Sequence, residues 1–301
     1  MNFAEIGYIK DDESLWISRF IQKLPKPLQT KYLMAAVPLK TDEVTMLGQD
    51  GLKITLPITK NEENQALRVR VLKKACALLM EKNIKVILNP DNIAFPFGFM
   101  EAKGGLANAI FADQLLKIAA HTKNIDLATA EVVLIDGYNF NTVAVLEAIK
   151  AEVNHLSIYT CRKEGLKDIL NSIYEETGLI IECFSSPKST LMSEGDVIIN
   201  CSADMENYDY AFKRGSVFIE ASGYLAKVAR MIQKRTDLFF VTNFKAIVSD
   251  EDTDARGIEA LIFIKNSDLY DAMKGKCLPI EAKKILGYIH KPQMIVKQIN
   301  R

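Results

Sequence analysis

The stretch from Glu131 to Glu152 constrains this chain more than any other. Val132-Val133-Leu134-Ile135 is fully apolar and of strand length, the pattern of a strand buried on both faces of a parallel sheet. It runs directly into Asp136-Gly137-Tyr138-Asn139, a turn, and then into a helical run from Thr142 to Glu152. Further strands are predicted at His155 to Tyr159, Leu179 to Cys183, Asp196 to Cys201, Val217 to Ile219 and Leu238 to Val241, with a helix from Lys163 to Glu176. Strands and helices alternating at this spacing predict βαβ units, right-handed crossovers and a parallel sheet.

Upstream, Phe3 to Ile9 reads as a strand and Glu13 to Lys23 as an amphipathic helix ended by Pro25 and Pro27. Tyr32 to Leu39 and Leu52 to Leu56 read as strands. Leu67, Val71, Ala75, Leu78 and Leu79 have helical spacing within Asn61 to Lys82, and Thr59 with Glu62 has the spacing of a capping box. Lys85 to Leu88 is a strand stopped by Asn89-Pro90-Asp91-Asn92. A long helix is expected from Gly104-Gly105 to about His121. After Asp250 the pattern predicts helices only, at Ala255 to Ile264, Leu269 to Met273, Ile280 to Gly287 and Gln293 to Ile299. The expected organisation is an α/β domain over 1–122, a second α/β domain over 123–250, and helices over 251–301 that pack on the first domain or on a second copy in a homodimer.

Apolar residues at 49% and charged residues at 25% match a soluble globular protein. Lys+Arg and Asp+Glu cancel at 38 each, so no overall bias towards nucleic acid or an acidic membrane is expected. The start, Met-Asn-Phe-Ala-Glu-Ile, lacks a charged region followed by an apolar one, and no window has the ~18 unbroken apolar residues of a membrane span. The five cysteines lack CxxC spacing and the three histidines are dispersed, so the expectation is no metal site, and reduced thiols in a cytoplasmic protein.

The turn after Ile135 occupies the place where a dinucleotide-binding βαβ unit carries its glycine-rich phosphate loop. Glycines there permit positive φ and let the backbone approach a pyrophosphate lying on the helix N-terminus. Only Gly137 is glycine. Asn139 and Asn141 tolerate the left-handed conformation, whereas Tyr138 and Phe140 would crowd the site and Asp136 adds a carboxylate. Two readings stay open: a modified site held by Gly137, Asn139, Asn141 and Thr142, or a scaffold that no longer binds a dinucleotide. At the end of the next strand, Tyr159-Thr160-Cys161-Arg162-Lys163 lacks the acidic residue that would take a ribose 2′-hydroxyl. Arg162 and Lys163 suit a 2′-phosphate, hence NADP, or else form a solvated pair at a helix start.

Two segments carry a resemblance. Asp196-Val197-Ile198-Ile199-Asn200-Cys201-Ser202, followed by Met205, looks like the strand beside the nicotinamide in the shikimate/quinate dehydrogenase family. Gly51 to Lys60, containing Leu56-Pro57-Ile58-Thr59-Lys60, resembles that family's Val-Thr-x-Pro-x-Lys segment with one extra residue before the lysine. The layout is also similar to long-chain acyl-carrier-protein reductases and the dipicolinate synthase A-subunit. The resemblance implies an N-terminal α/β substrate domain followed by a Rossmann-type doubly wound parallel sheet. It further implies a catalytic Lys60 working with a carboxylate, for which Asp91 is the candidate, and a cofactor lying along Asn200, Cys201 and Ser202.

The chemistry of these residues can be argued separately. A partly desolvated Lys60 could move a proton to or from a carbinol oxygen as hydride arrives or leaves; as an ordinary lysine it would sit exposed. Cys201 could serve as a nucleophile only with a base or positive field nearby, and otherwise reads as a small buried residue. Asn243 and Lys245 read as loop residues past the last strand, and Glu220-Ala221-Ser222-Gly223-Tyr224 as a turn. The expected function is NAD(P)-dependent oxidation or reduction of a small carbonyl or hydroxyl compound. The alternative is a non-redox Rossmann-type protein that binds another small molecule or scaffolds an assembly.

Overall fold

The computed structural model describes the chain except residues 11–18, 92, 96, 97, 205–208, 267, 268, 270–272, 274–277 and 301. Most of the helix expected over Glu13 to Lys23, most of that over Leu269 to Met273, and Met205 lie outside the described residues. The chain forms two compact units, Met1–Ala102 and Lys103–Arg301. Among the described residues no helix is long and apolar enough to cross a membrane.

The first unit is built from β1 (Phe3–Tyr8), α1 (Arg19–Gln22), α2 (Lys26–Ala36), β2 (Lys40–Met46), β3 (Gln49–Leu56), α3 (Gln65–Glu81), β4 (Val86–Leu88) and β5 (Met100–Ala102). Its sheet has the order β2-β3-β1-β4-β5, parallel except for the β2/β3 hairpin. Leu47 and Gly48 both have positive φ, 52° and 68°, the two-residue turn whose twist matches that of the strands it joins. The core packs Ala4, Ile6, Ile54 and Leu56 against Leu67, Val71, Ala75 and Leu79, the apolar stripe of α3.

Three expectations for this unit are corrected. Tyr32 to Leu39 is not a strand; α2 covers most of it, because the prolines at 25 and 27 begin a helix rather than only ending one. The helix after β3 starts at Gln65, capped by Asn64, whose side chain accepts from Leu67 N at 3.0 Å. Thr59 and Glu62 therefore form a turn and not a capping box. The exposed strand β2 has no apolar alternation and was not expected.

The second unit opens with α4 (Gly105–Ile110) and α5 (Ala112–Lys123). It continues through β6 (Glu131–Ile135), α6 (Phe140–Ile149), β7 (His155–Tyr159), α7 (Lys163–Thr177), β8 (Ile181–Phe184) and α8 (Thr190–Glu194). Then follow β9 (Val197–Asn200), β10 (Val217–Glu220), α9 (Leu225–Lys234) and β11 (Phe239–Val241). These strands make a wholly parallel sheet of order β11-β10-β9-β6-β7-β8. This is the doubly wound Rossmann-type order, with the switch point between β6 and β9.

The remaining elements are β12 (Asn243–Val248), β13 (Glu251–Asp254), α10 (Ala255–Lys265), α11 (Pro279–Tyr288) and β14 (Ile295–Asn300). An antiparallel sheet, β13-β12-β14, replaces the helices-only ending. The segment expected as a helix over Gln293 to Ile299 is mostly β14, since Ile295, Val296 and Ile299 are β-branched and a distant partner strand supplies the ladder. Asn243 and Lys245, expected in a loop, lie in β12. The division falls at 102/103 rather than after 122, because α4 and α5 pack on α6; α10 packs on α4, and α11 on α6 and α7.

Candidate functional site at the carboxyl edge of the six-stranded sheet

Gly137 to Thr142 reads Gly-x-Asn-x-x-Thr, the phosphate-loop spacing with asparagine and threonine at the second and third glycine positions. Gly137 cannot be anything larger: a Cβ there would lie 1.9 Å from the Cys201 carbonyl oxygen at the end of β9. The left-handed residue is Tyr138, φ 54°, although Asn139 and Asn141 are the residues that tolerate that conformation. Asn139 is extended at φ −138° and caps α6. Its Oδ1 accepts from Thr142 N at 3.2 Å, and its Nδ2 donates to Cys201 O at 2.9 Å. Asn141 Nδ2 donates to Ala221 O at 2.6 Å. Thr142 Oγ1 accepts from Gly137 N at 3.0 Å and bonds Asp136 Oδ1 at 2.9 Å. The side chains where glycines are expected thus take up the loop's own backbone groups. Phe140 is buried, and Tyr138 is half exposed.

Asp136 faces inward and not towards an incoming phosphate. Arg162 donates to it through Nε and Nη2, both at 2.7 Å, Thr160 Oγ1 at 2.7 Å, and Tyr138 N at 2.9 Å. Burial pushes the Asp136 carboxyl up, but the Arg162 hydrogen bonds and charge outweigh it, and the net shift is downward. Arg162 Cζ lies 4.8 Å from the Tyr138 ring centroid, and Cys161 N donates to the Tyr138 hydroxyl at 3.0 Å. The arginine expected to meet a 2′-phosphate is therefore committed to an internal carboxylate. Lys163, the first residue of α7, is exposed.

At the next strand ends, Asn200 is fully buried. Its Nδ2 donates to Glu220 Oε2 at 2.8 Å and to Ser202 O at 3.0 Å, and its Oδ1 accepts from Lys227 Nζ at 3.2 Å. Ser202 Oγ accepts from Asp204 N at 3.1 Å. Cys201 is fully buried; burial, then the Glu220 and Asp136 charges, push its thiol well above the ordinary range, the opposite of what a nucleophile needs. Glu220 is also buried, and burial raises its pKa although Ser222 and Asn200 hydrogen-bond it. Asn108 Nδ2 donates to Glu220 O at 2.6 Å and Thr242 O at 3.1 Å. Glu259 on α10 accepts from Lys103 N, Leu106 N and Ala107 N at the start of α4, at 3.0, 2.8 and 3.3 Å, and burial lifts its pKa to about 7.

Lys227, Asn108 and Glu259 were not singled out from sequence, and Glu220 was seen only as part of a turn. The legible signal for Glu220 was a carboxylate closing the apolar run Val217-Phe218-Ile219; Lys227 and Glu259 sit in ordinary helical patterns. In the first unit, Lys60 is exposed in the turn after β3, and Asp91 Oδ2 accepts from Tyr8 N at 2.8 Å. No hydrogen bond or ion pair joins Lys60 to Asp91 among the described residues.

No family model matches the chain, and no curated protein matches it. Similar solved structures include L-tryptophan dehydrogenase from Nostoc punctiforme, at 10% identity over 95% of this chain and 80% of that one, TM-score 0.38. Shikimate 5-dehydrogenase from Listeria monocytogenes, in complex with shikimate and NAD, is 9% identical over 95% and 96%, TM-score 0.35. The A-subunit of dipicolinate synthase from Bacillus halodurans is 13% identical over 74% and 75%, TM-score 0.37. These likenesses are distant and concern fold alone.

Proposed function

We propose that this chain is a Rossmann-type protein that binds a small molecule other than a nicotinamide dinucleotide, its phosphate loop being closed by its own side chains. The observation that supports this reading is the bidentate Arg162–Asp136 pair, both contacts at 2.7 Å, beneath a loop whose helix cap is already made by Asn139. A 2′-phosphate would have to compete with a buried carboxylate for Arg162, and a pyrophosphate with Asn139 for the helix N-terminus. The residues present therefore do not fit NADP in the ordinary way.

The second reading is an NADP-dependent oxidoreductase acting on a small carbonyl or hydroxyl compound. It is favoured by the position of Arg162 and Lys163 at the carboxyl end of β7, beside the switch point. In it Gly137, Asn139, Asn141, Thr142, Asn200, Cys201 and Ser202 border the cofactor.

Thermal unfolding with NAD and NADP separates the two readings. A ligand at a hundred times its Kd stabilises the folded state by about 2.7 kcal/mol. The closed-loop reading expects no shift with either nucleotide at millimolar concentration; a clear upward shift with NADP overturns it in favour of the second.

A further inference from the structure

Tyr138 combines features that rarely coincide. It is a bulky residue in the left-handed region, φ 54°, where a side chain other than glycine is strained. Its ring is half exposed yet makes a cation–π contact, with Arg162 Cζ 4.8 Å from the ring centroid. Its hydroxyl accepts from Cys161 N at 3.0 Å and its own N–H donates to Asp136 at 2.9 Å. Arg162 in turn spends Nε and Nη2 on Asp136, so its orientation is fixed while its Cζ lies over the tyrosine ring. A planar cation held rigidly by a carboxylate is a stacking platform for any aromatic ring.

We propose that the Arg162 face is a binding platform for a purine base, and that Tyr138 is its built-in occupant, standing where an adenine would otherwise stack. This inference rests on the closed-loop reading and adds what closes the base end of it. Asp136 neutralises Arg162, so the platform recognises the flat base and not a 2′-phosphate. Once uncovered it takes AMP, NAD and NADP with similar affinity. Tyr138→Gly removes the ring and relieves the left-handed strain together, so uncovering the platform leaves the backbone intact.

The test is calorimetric titration of AMP, NAD and NADP into the full-length wild type and its Tyr138→Gly, Tyr138→Asn and Tyr138→Phe variants. Circular dichroism confirms the fold of each, and asparagine, which tolerates this conformation, carries the test if the glycine variant misfolds. The expected result is a gain in affinity of about ten-fold or more for all three nucleotides in the Gly and Asn variants, the scale of one base stacked on an aromatic or cationic platform. The Phe variant, which keeps the ring over Arg162, gains none. Folded Gly and Asn variants that bind no better than wild type overturn the platform and leave the closed-loop reading standing. A preference for NADP over NAD in those variants overturns the neutralised-arginine part, and tight binding by wild type overturns the closed-loop reading itself.

Discussion

Glu259 has exchanged water for the backbone amides at the start of α4, an anion seat filled from inside the protein. Burial outweighs these hydrogen bonds and raises its pKa from 4.5 to about 7. The folded state therefore holds a proton that the unfolded chain has released between those values. The resulting stabilisation is complete below pH 4.5 and is lost as pH rises through about 7. At 1.36 kcal/mol per unit this is on the order of 3 kcal/mol. Urea unfolding at about pH 5.5 and about pH 8 should show about 2 kcal/mol of this loss in the wild type, the rest being gone already at the lower pH, and none of it in Glu259→Gln; equal pH slopes in the two would refute the assignment. Nothing in the local sequence marks this residue. Glu259 stands in the helical run Ala255 to Ile264, and what makes it special, the amide cluster at 103–107, is remote along the chain.

The junction of β6 and β9 shows what elements impose on residues. Gly137 meets the backbone of Cys201, and a rigid carbonyl cannot step aside as a flexible side chain could. Gly137→Ala should therefore destabilise the protein by about 3 kcal/mol or more, the upper range for overpacking, with the deficit read from urea unfolding. A cost below 1 kcal/mol, on the same scale, would mean the two strand ends are not held in contact. The apolar β6 and the helix after it were legible in sequence because a buried parallel strand carries its signature within five residues. α2 and β14 were not. α2 depends on prolines that punctuate in either direction, and β14 on a partner about fifty residues away in sequence, since its register runs Asn243 to Asn300 and Ile247 to Ile295.

Each of the two units closes a core of its own. One is the cluster of β1, β3 and α3; the other gathers Val133, Ile135, Ile198, Phe218 and Phe240 on the six-stranded sheet. Residues 103–301 expressed alone should therefore fold and unfold in one cooperative transition, followed by circular dichroism and calorimetry. A fragment that is unfolded, or that melts without cooperativity, would show that its core needs the first 102 residues. By itself the amino-acid sequence determined the fold class: apolar strands and amphipathic helices report their burial through local periodicity, and their alternation dictates a parallel sheet. It also placed the turn between β6 and α6 and showed that it holds a single glycine, Gly137. Only the tertiary structure decided what the substitutes do. Asp136 could as well have repelled a phosphate as paired with Arg162, and Tyr138 could as well have blocked the loop as made a cation–π contact with that arginine. Such pairings join residues more than twenty positions apart, and their energy depends on distance and burial, quantities that exist only once the chain is folded.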